Sequence, residues 1–532
     1  MVLNLADIQT IDQLAAFKAI VPLAVGTASV AYLATKVASN YYSSDKDIPT
    51  VALKDGATSH DEEYKKDPKA FMLRCEQEYG SVYNLHLFNQ FQTVVNGPEL
   101  ARELFLRDDL NAGDAVEELT GMRVFFRSMT KSNHEDDSMV IHFLVRDFIT
   151  PYLNLYTPRI VRNLEKQLDE HLPDCDRKLV KNPVNILQRM VACAMACVFM
   201  GEEIGVQSQV IDTFIQCTYD FNEVVGAGER SKSFWRTFRT KTKYTYMSPM
   251  AKHINVLVNA ATPVILRRRK EEAEEGEAYV RPDDVMQRML DNFDKYNFVD
   301  IEDLCGHLLV MVLASVHTTS DASTNLLYYL AQYPEYIDKL YEEMQEVLAQ
   351  EAREIEELAI KDGITTDTPL ITKPSDAMSA KAMKKMVYLD SFVREVFRHR
   401  TDLIGIPHMA RKNLTLGNGV RIPKGRSVTV NLRSTHWEES MQGPDPLEFR
   451  PWRFVGKAKG TTKVGPDFLP FGMGKHACPG RFLAMQEIKT VACMMIGRFS
   501  KIEMEDPTKA YDSLHSMMGA PAVTGLYFTS RQ

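Results

Sequence analysis

Cysteine is scarce, with eight residues in a chain of 532, at positions 75, 175, 193, 197, 217, 305, 478 and 493. Spacing this irregular excludes a disulfide framework and leaves most of them as buried free thiols. Cys193 and Cys197 lie in the apolar run MVACAMACVFM without metal-ligating neighbours, so they mark one face of a buried helix. A basic excess is also lacking. Lys and Arg number 63 against 71 Asp and Glu, the formal charge is −8, and the basic residues are scattered, which excludes an electrostatic footprint for nucleic acid. Long apolar runs are few. Ala19 to Thr35 is uncharged between Lys18 and Lys36, about 25 Å as a helix and at the short limit for a bilayer span. Asp7 and Asp12 precede it, so the positive region of a secretory signal is missing. The reading is a retained membrane anchor over residues 1–40 and a polar linker over 41–61.

What remains is an ordinary globular composition, 45% hydrophobic, 25% charged and 9% aromatic, which excludes disordered and collagen-like chains. Ser81 to Leu87 and Phe91 to Val95 read as two short strands turned by Asn89-Gln90 and ended by Asn96-Gly97-Pro98. Helical periodicity then dominates to about residue 400, with long stretches near 183–201, 250–272, 301–333 and 335–356. The run from Arg267 to Glu277 mixes both signs, as a solvated helix end and loop does. The stretch 350–378, acidic and then rich in Thr and Pro, reads as a surface insertion. Short strand-like runs follow at Leu414 to Leu416, Val420 to Ile422 and Ser427 to Leu432, and a strong helical run covers Arg481 to Phe499. The fold class expected is mainly α with small β-sheets (α+β).

One cysteine has unusual company. Cys478 lies in FLPFGMGKHACPGRFLAMQEIK, at a loop entering a helix, where backbone N–H groups and the helix dipole stabilise a thiolate. Gly472, Gly474 and Gly480 let a flat partner approach the backbone. His476 is poorly placed as a base for a nucleophile, so metal ligation is preferred.

Phe471, Gly474, His476, Cys478 and Gly480 fill the F-x-x-G-x-(R/H)-x-C-x-G pattern, and the chain thereby resembles the haem-thiolate family, the cytochromes P-450. Further motifs occur in the right order. Glu395 and Arg398 form E-x-x-R, and Arg453 in FRPWRF resembles the arginine that joins them in a buried structural network. Ala314, Ser315, Val316, His317, Thr318 and Thr319 occupy the (A/G)-G-x-(D/E)-T-(T/S) places on the helix from 301, with Ser315 replacing the glycine and His317 the acid. The HTT form resembles that of several fungal members that oxidise terpenoids.

The resemblance implies the cytochrome P-450 fold over residues 62–532, with haem b between the long central helix and the cysteine loop. Cys478 is then the axial ligand, Phe471, Gly472, Gly474 and Gly480 shape its loop, Thr318 orders water for proton delivery, and His317 is a relay whose charge switches near neutral pH. Donors for the haem propionates are His476, then Arg146 with His142, then His408. An apolar substrate pocket would draw on Leu313, Ala314 and Ser315, on Leu403, Ile404 and Ile406, and on aromatic-rich segments such as Tyr219 to Val225, and would suit a lipophilic terpenoid or steroid. The chain has no flavin or nicotinamide fingerprint, so NADPH electrons come through a separate diflavin NADPH–cytochrome P-450 reductase, with cytochrome b5 as a second donor. Membrane lipid is a further partner, and the expected location is the endoplasmic reticulum membrane with the catalytic domain facing the cytosol. The same scaffold also hosts reductase-independent peroxide isomerases and dehydratases, against which Thr318 and Thr319 argue, and a non-catalytic haem sensor would have no need of them.

Overall fold

The computed structural model describes residues 48–88, 90–120, 122–131, 137–225, 249–363, 370–400, 405–509 and 524–532. The anchor expected over residues 1–40 lies outside them. Of the linker, residues 48–61 fall within them.

Proline at the first turn opens the helices Pro68–Tyr79, Pro98–Leu106 and Pro183–Met200, where its missing N–H costs nothing. The organising element is the central helix, Ile301–Gln332. Asp300 caps it by accepting the Asp303 N–H at 2.8 Å. Asp303 in turn accepts from the backbone N–H of Lys131 at 2.7 Å and of Val299 at 3.0 Å, which fastens the preceding chain to the first turn. At Gly306 a Cβ would collide with the Met129 carbonyl oxygen, so only glycine lets the chain cross the helix there. Around this axis pack Pro183–Met200, Ser208–Val225, Met250–Glu275 and the terminal helix Arg481–Arg498. Most of the apolar core lies between them.

The strands are short and peripheral. β1 (Val82–Leu87) and β2 (Gln90–Val95) form an antiparallel hairpin with Val82 opposite Val95. β3 is Leu110–Asn111, β4 Lys178–Val180, β5 His408–Ala410, β6 Leu414–Thr415, β7 Arg421–Ile422, β8 Ser427–Val430, β9 Phe499–Met504 and β10 Leu526–Ser530. One sheet has the order β1-β2-β8-β5-β3. Its inner strand β8 is buried at every residue and pairs parallel with β2. A second sheet runs β4-β10-β9, and β6 and β7 form a two-stranded ribbon.

Two expectations need correction. Residues 350–361 are the last turns of a regular helix, Ile337–Lys361, with Glu351 and Ala359 buried, so the excursion starts beyond Lys361. Within the run from Arg267 to Glu277, Arg268 is also buried, because Asp284 receives it at 2.6 Å. Asp284 is fixed as the N-cap of Val285–Asp291. Two described helices, Pro183–Met200 and Ile301–Gln332, are long and apolar enough to cross a membrane, yet 78% and 67% of their apolar windows are buried inside the fold. Their apolarity serves the core.

Candidate active site

The loop from Phe471 to Cys478 is closed by the Cys478 N–H, which donates to the Phe471 carbonyl at 2.7 Å. Gly472 and Gly474 have φ of +65° and +66°, in the left-handed region. At Gly474 a Cβ would lie 2.9 Å from Leu106 Cδ2 and 3.3 Å from the Phe105 carbonyl oxygen, so this glycine is required twice over. Gly480 differs, because its φ of −80° suits any residue and a Cβ there would meet Cys478 Sγ at 3.9 Å, an ordinary contact. The Phe471 ring stacks on Phe397 at 5.8 Å and 27°. Burial pushes the Cys478 thiol up, while the N–H groups of Gly480 and Arg481 and the Arg481 charge act in the opposite direction. Arg481 also donates to the Cys478 carbonyl at 2.9 Å and to the Thr462 carbonyl at 3.2 Å.

The central helix is buried along most of its length, but Ala314 and Thr318 are exposed and Ser315 and His317 half-buried. A helix wholly inside a core would show no such stripe. Thr318 Oγ1 donates to the Ala314 carbonyl at 2.8 Å and lies 3.3 Å from that of Ser315. Its hydrogen is therefore engaged, and what the hydroxyl offers the open side is lone pairs. Thr319 is buried. Burial, joined by the Arg400 charge, holds His317 below the usual imidazole range, so the expected switch near neutral pH is shifted to lower pH.

The expected propionate donors are placed unevenly. Arg146, on the helix Asp137–Phe148, is exposed, donates to Asp147 at 2.7 Å and lies 4.8 Å over the Phe143 ring. Asp147 also receives Lys295 and the Tyr296 hydroxyl, and this acceptor turns Arg146 outward. His142, one turn earlier, is half-buried and pushed down by burial and then by the Arg146 and Arg481 charges. His408 is 1% exposed, with Nδ1 3.0 Å from the Ile406 carbonyl and its ring 5.1 Å from that of Phe105. Phe105 is the residue against which Gly474 packs. The His476 side chain and residues Leu403 and Ile404 lie outside the described residues. Of the other expected pocket residues, Leu313 is buried in the core and Ile406 is exposed. In the aromatic-rich segment, Tyr219 donates to Gln188 and Phe221 packs on Phe125.

Glu395, Arg398 and Arg453 meet in the interior. Arg398 donates to both Glu395 oxygens, at 2.7 and 2.8 Å, and Arg453 adds a contact at 3.1 Å. Two guanidinium groups against one carboxylate leave a surplus positive charge. Backbone carbonyls absorb it, among them His436 for Arg398 and Asp445 and Glu448 for Arg453. Burial alone would raise the Glu395 carboxyl, but hydrogen bonds from Arg398 and His399 outweigh it and hold the group at about 2.

A second buried network was not foreseen. On the same helix, Val387–Arg400, Arg394 donates to Asp467 at 3.0 Å and to the Gly460 carbonyl at 2.7 Å, with Phe468 at 3.9 Å under its guanidinium. Asp390, one turn earlier, receives Thr461 at 2.7 Å and Lys489 of the terminal helix at 2.8 Å. These contacts pin both the chain entering the cysteine loop and the helix leaving it. Asp390 and Arg394 stand one turn apart in YLDSFVREVF, and their partners lie 66 to 99 positions further on, beyond the reach of a local motif.

Comparison with known proteins agrees with this arrangement. The cytochrome P-450 family model matches residues 59–524. Among curated proteins, the chain is 26% identical to the cytochrome P-450 monooxygenase paxP of Penicillium paxilli, over 64% of this chain and 63% of paxP. It is 27% identical to the cytochrome P-450 monooxygenase AN1598 of Emericella nidulans, over 65% of this chain and 62% of that one. A match to cytochrome P-450 monooxygenase 151 of Postia placenta reaches 24% identity over 84% of this chain and 85% of the relative. The alignments with the first two thus span less than two thirds of those relatives. With its cysteine loop, its Glu395–Arg398–Arg453 cluster and a family match over most of its length, the chain belongs to the cytochrome P-450 family.

Proposed function

We propose that the protein is a haem-thiolate monooxygenase that inserts one oxygen atom from dioxygen into a lipophilic substrate, hydroxylating a terpenoid or steroid. The observation that carries the reading is the pairing of a cysteine loop, turned by two left-handed glycines, with an exposed Ala314–Thr318 stripe on an otherwise buried helix. These residues fit haem b: Gly474 leaves no room for a side chain between the loop and Leu106, and Cys478 offers sulfur among backbone N–H groups. Cys478 would hold the haem iron through its sulfur, and the haem, when bound, would supply the reductive activation of dioxygen.

The rest is work for the chain. Gly480 and Arg481 N–H groups stabilise negative charge on Cys478 sulfur. His142 and His408, with His476, are the donors proposed for the propionates; Arg146 would first have to leave Asp147. Thr318 accepts hydrogen bonds on its open side and orders a water there, and His317 passes the proton. Ala314 and Ser315 supply the pocket wall beside it, together with the segment 403–406. Electrons from NADPH enter through a separate diflavin reductase, with cytochrome b5 as an alternative donor. The segment 19–35 anchors the protein in the endoplasmic reticulum membrane, with the catalytic domain in the cytosol. Likeness to fungal monooxygenases such as paxP supports a role in secondary metabolism.

The test is turnover of a terpenoid and steroid panel by the full chain with a diflavin reductase, NADPH and isotopically heavy dioxygen. One heavy atom in the product, dependent on reductase, is the expected result. Conversion of an added lipid peroxide without NADPH would overturn the reading in favour of an isomerase.

A further inference from the structure

Arg481 is the first residue of the helix Arg481–Arg498, and its side chain turns back onto the loop that leads into that helix. Nη1 donates to the Cys478 carbonyl at 2.9 Å, Nε donates to the Thr462 carbonyl at 3.2 Å, and the guanidinium lies 4.4 Å over the Phe482 ring. The backbone N–H of Arg481 bonds the sulfur of the same cysteine, so one residue meets Cys478 at two points. The far end of the bridge is rigid. Gly460 and Lys463 give their carbonyls to Arg394 at 2.7 and 3.2 Å, and Thr461 donates to Asp390 at 2.7 Å, so every residue of the turn 460–463 is fixed by the helix Val387–Arg400 or by Arg481. A guanidinium held between this turn and Cys478 has little freedom to swing into solvent. It is half-buried, and among the described residues no carboxylate pairs with it. Its charge therefore acts on its surroundings uncompensated and less screened than a surface cation. Lys475, three residues before the cysteine, is the opposite case, with its side chain 53% exposed and paired with Asp108.

We propose that Arg481 is a positioning residue for Cys478: its guanidinium fixes the ligand cysteine by its carbonyl and raises the reduction potential of the iron held by the sulfur. The proposal rests on the haem-thiolate reading of the site. Reduction of ferric to ferrous iron by one electron from the reductase adds one negative charge to the site, with no bond made or broken at the cysteine. A fixed positive charge beside that site stabilises the reduced form more than the oxidised one. The hydrogen bond at the Cys478 carbonyl acts in the same direction, because it offsets the negative end of a dipole on the ligand residue itself. The backbone N–H at position 481 would be supplied by almost any residue there. What arginine adds is the charge and the bridge from Cys478 to Thr462.

A merely structural clip would leave the potential where it is, which separates the two roles. The measurement is the ferric–ferrous midpoint of the haem-loaded full chain, read spectroelectrochemically without substrate, for Arg481→Gln, Arg481→Lys and Lys475→Gln beside the wild type. R481Q can still donate to a carbonyl but carries no charge, and it should lower the equilibrium constant for reduction about tenfold, ~59 mV for one electron. R481K keeps the charge and should stay within about twofold of the wild type. K475Q removes a charge from the same loop, but an exposed and paired one, and should stay within about threefold. An unchanged or raised midpoint in R481Q, or an equal fall in K475Q, would overturn the proposal. If R481Q does not hold haem, R481K decides: a midpoint within its twofold range upholds the proposal, and a larger fall overturns it. Failure of the haem-thiolate reading is seen separately, as a reduced carbon monoxide spectrum of the wild type without a thiolate band.

Discussion

Lys489 Nζ lies 2.8 Å from Asp390 Oδ1 and 2.9 Å from the Met383 carbonyl, which joins the helix that follows the cysteine loop to the helix that carries Glu395 and Arg398. Asp390 also receives the Thr461 hydroxyl and backbone N–H. Removing Lys489 leaves that half-buried carboxylate with one hydroxyl and one amide. Lys489→Met should lower unfolding stability by about 3 kcal/mol, measured by denaturant titration. The paired variant Asp390→Asn with Lys489→Met should recover much of the loss, because no charge is then left without a partner.

Glu395 gives acid sensitivity a defined window. Its folded-state carboxyl titrates at about 2 against an ordinary value of 4.5, so its contribution is fully present above 4.5 and is lost as pH falls toward 2. The difference corresponds to about 3 kcal/mol. Glu395→Gln should be less stable than the wild type at neutral pH, and the gap between their unfolding free energies should narrow through that window.

Glu487, on the terminal helix, is fully buried, and among the described residues neither carboxylate oxygen has a hydrogen-bond partner. Burial raises it well above 4.5. The sign is the reverse of that at Glu395: the native state retains a proton that the unfolded chain gives up, so stability falls as pH rises above 4.5. Wild type should lose up to about 1.4 kcal/mol per pH unit within that window, and Glu487→Gln should not. Parallel pH profiles for the two proteins would contradict this.

Thr318 should matter to chemistry and little to folding. Thr318→Ala keeps the buried core intact, since the side chain is exposed and bonded only to its own helix. Product formation should fall by about ten- to a hundredfold, while NADPH is still consumed and the electrons appear as hydrogen peroxide.

The sequence disclosed those parts of the site whose members lie close together along it. The cysteine loop is a contiguous segment whose glycines have a conformational reason, and Glu395 with Arg398 fits one helical turn. The long helices were legible from apolar periodicity. Contacts between distant segments were not: Asp390 and Lys489 stand 99 positions apart, and Arg400 gives no sign that it meets Asp321. Arg146 was read without its acceptor, although that acceptor, Asp147, is its neighbour in sequence. The helix expected near 335–356 runs on to Lys361, into the stretch read as a surface insertion, because charged helix turns and a charged excursion share one composition.

The most direct test of the account is the absorption spectrum of the full chain, reduced with dithionite and exposed to carbon monoxide, for wild type beside Cys478→Ser. The account predicts a Soret band at about 450 nm in wild type and its absence in the variant. A folded wild-type protein that binds haem without that band, or binds no haem, would contradict it.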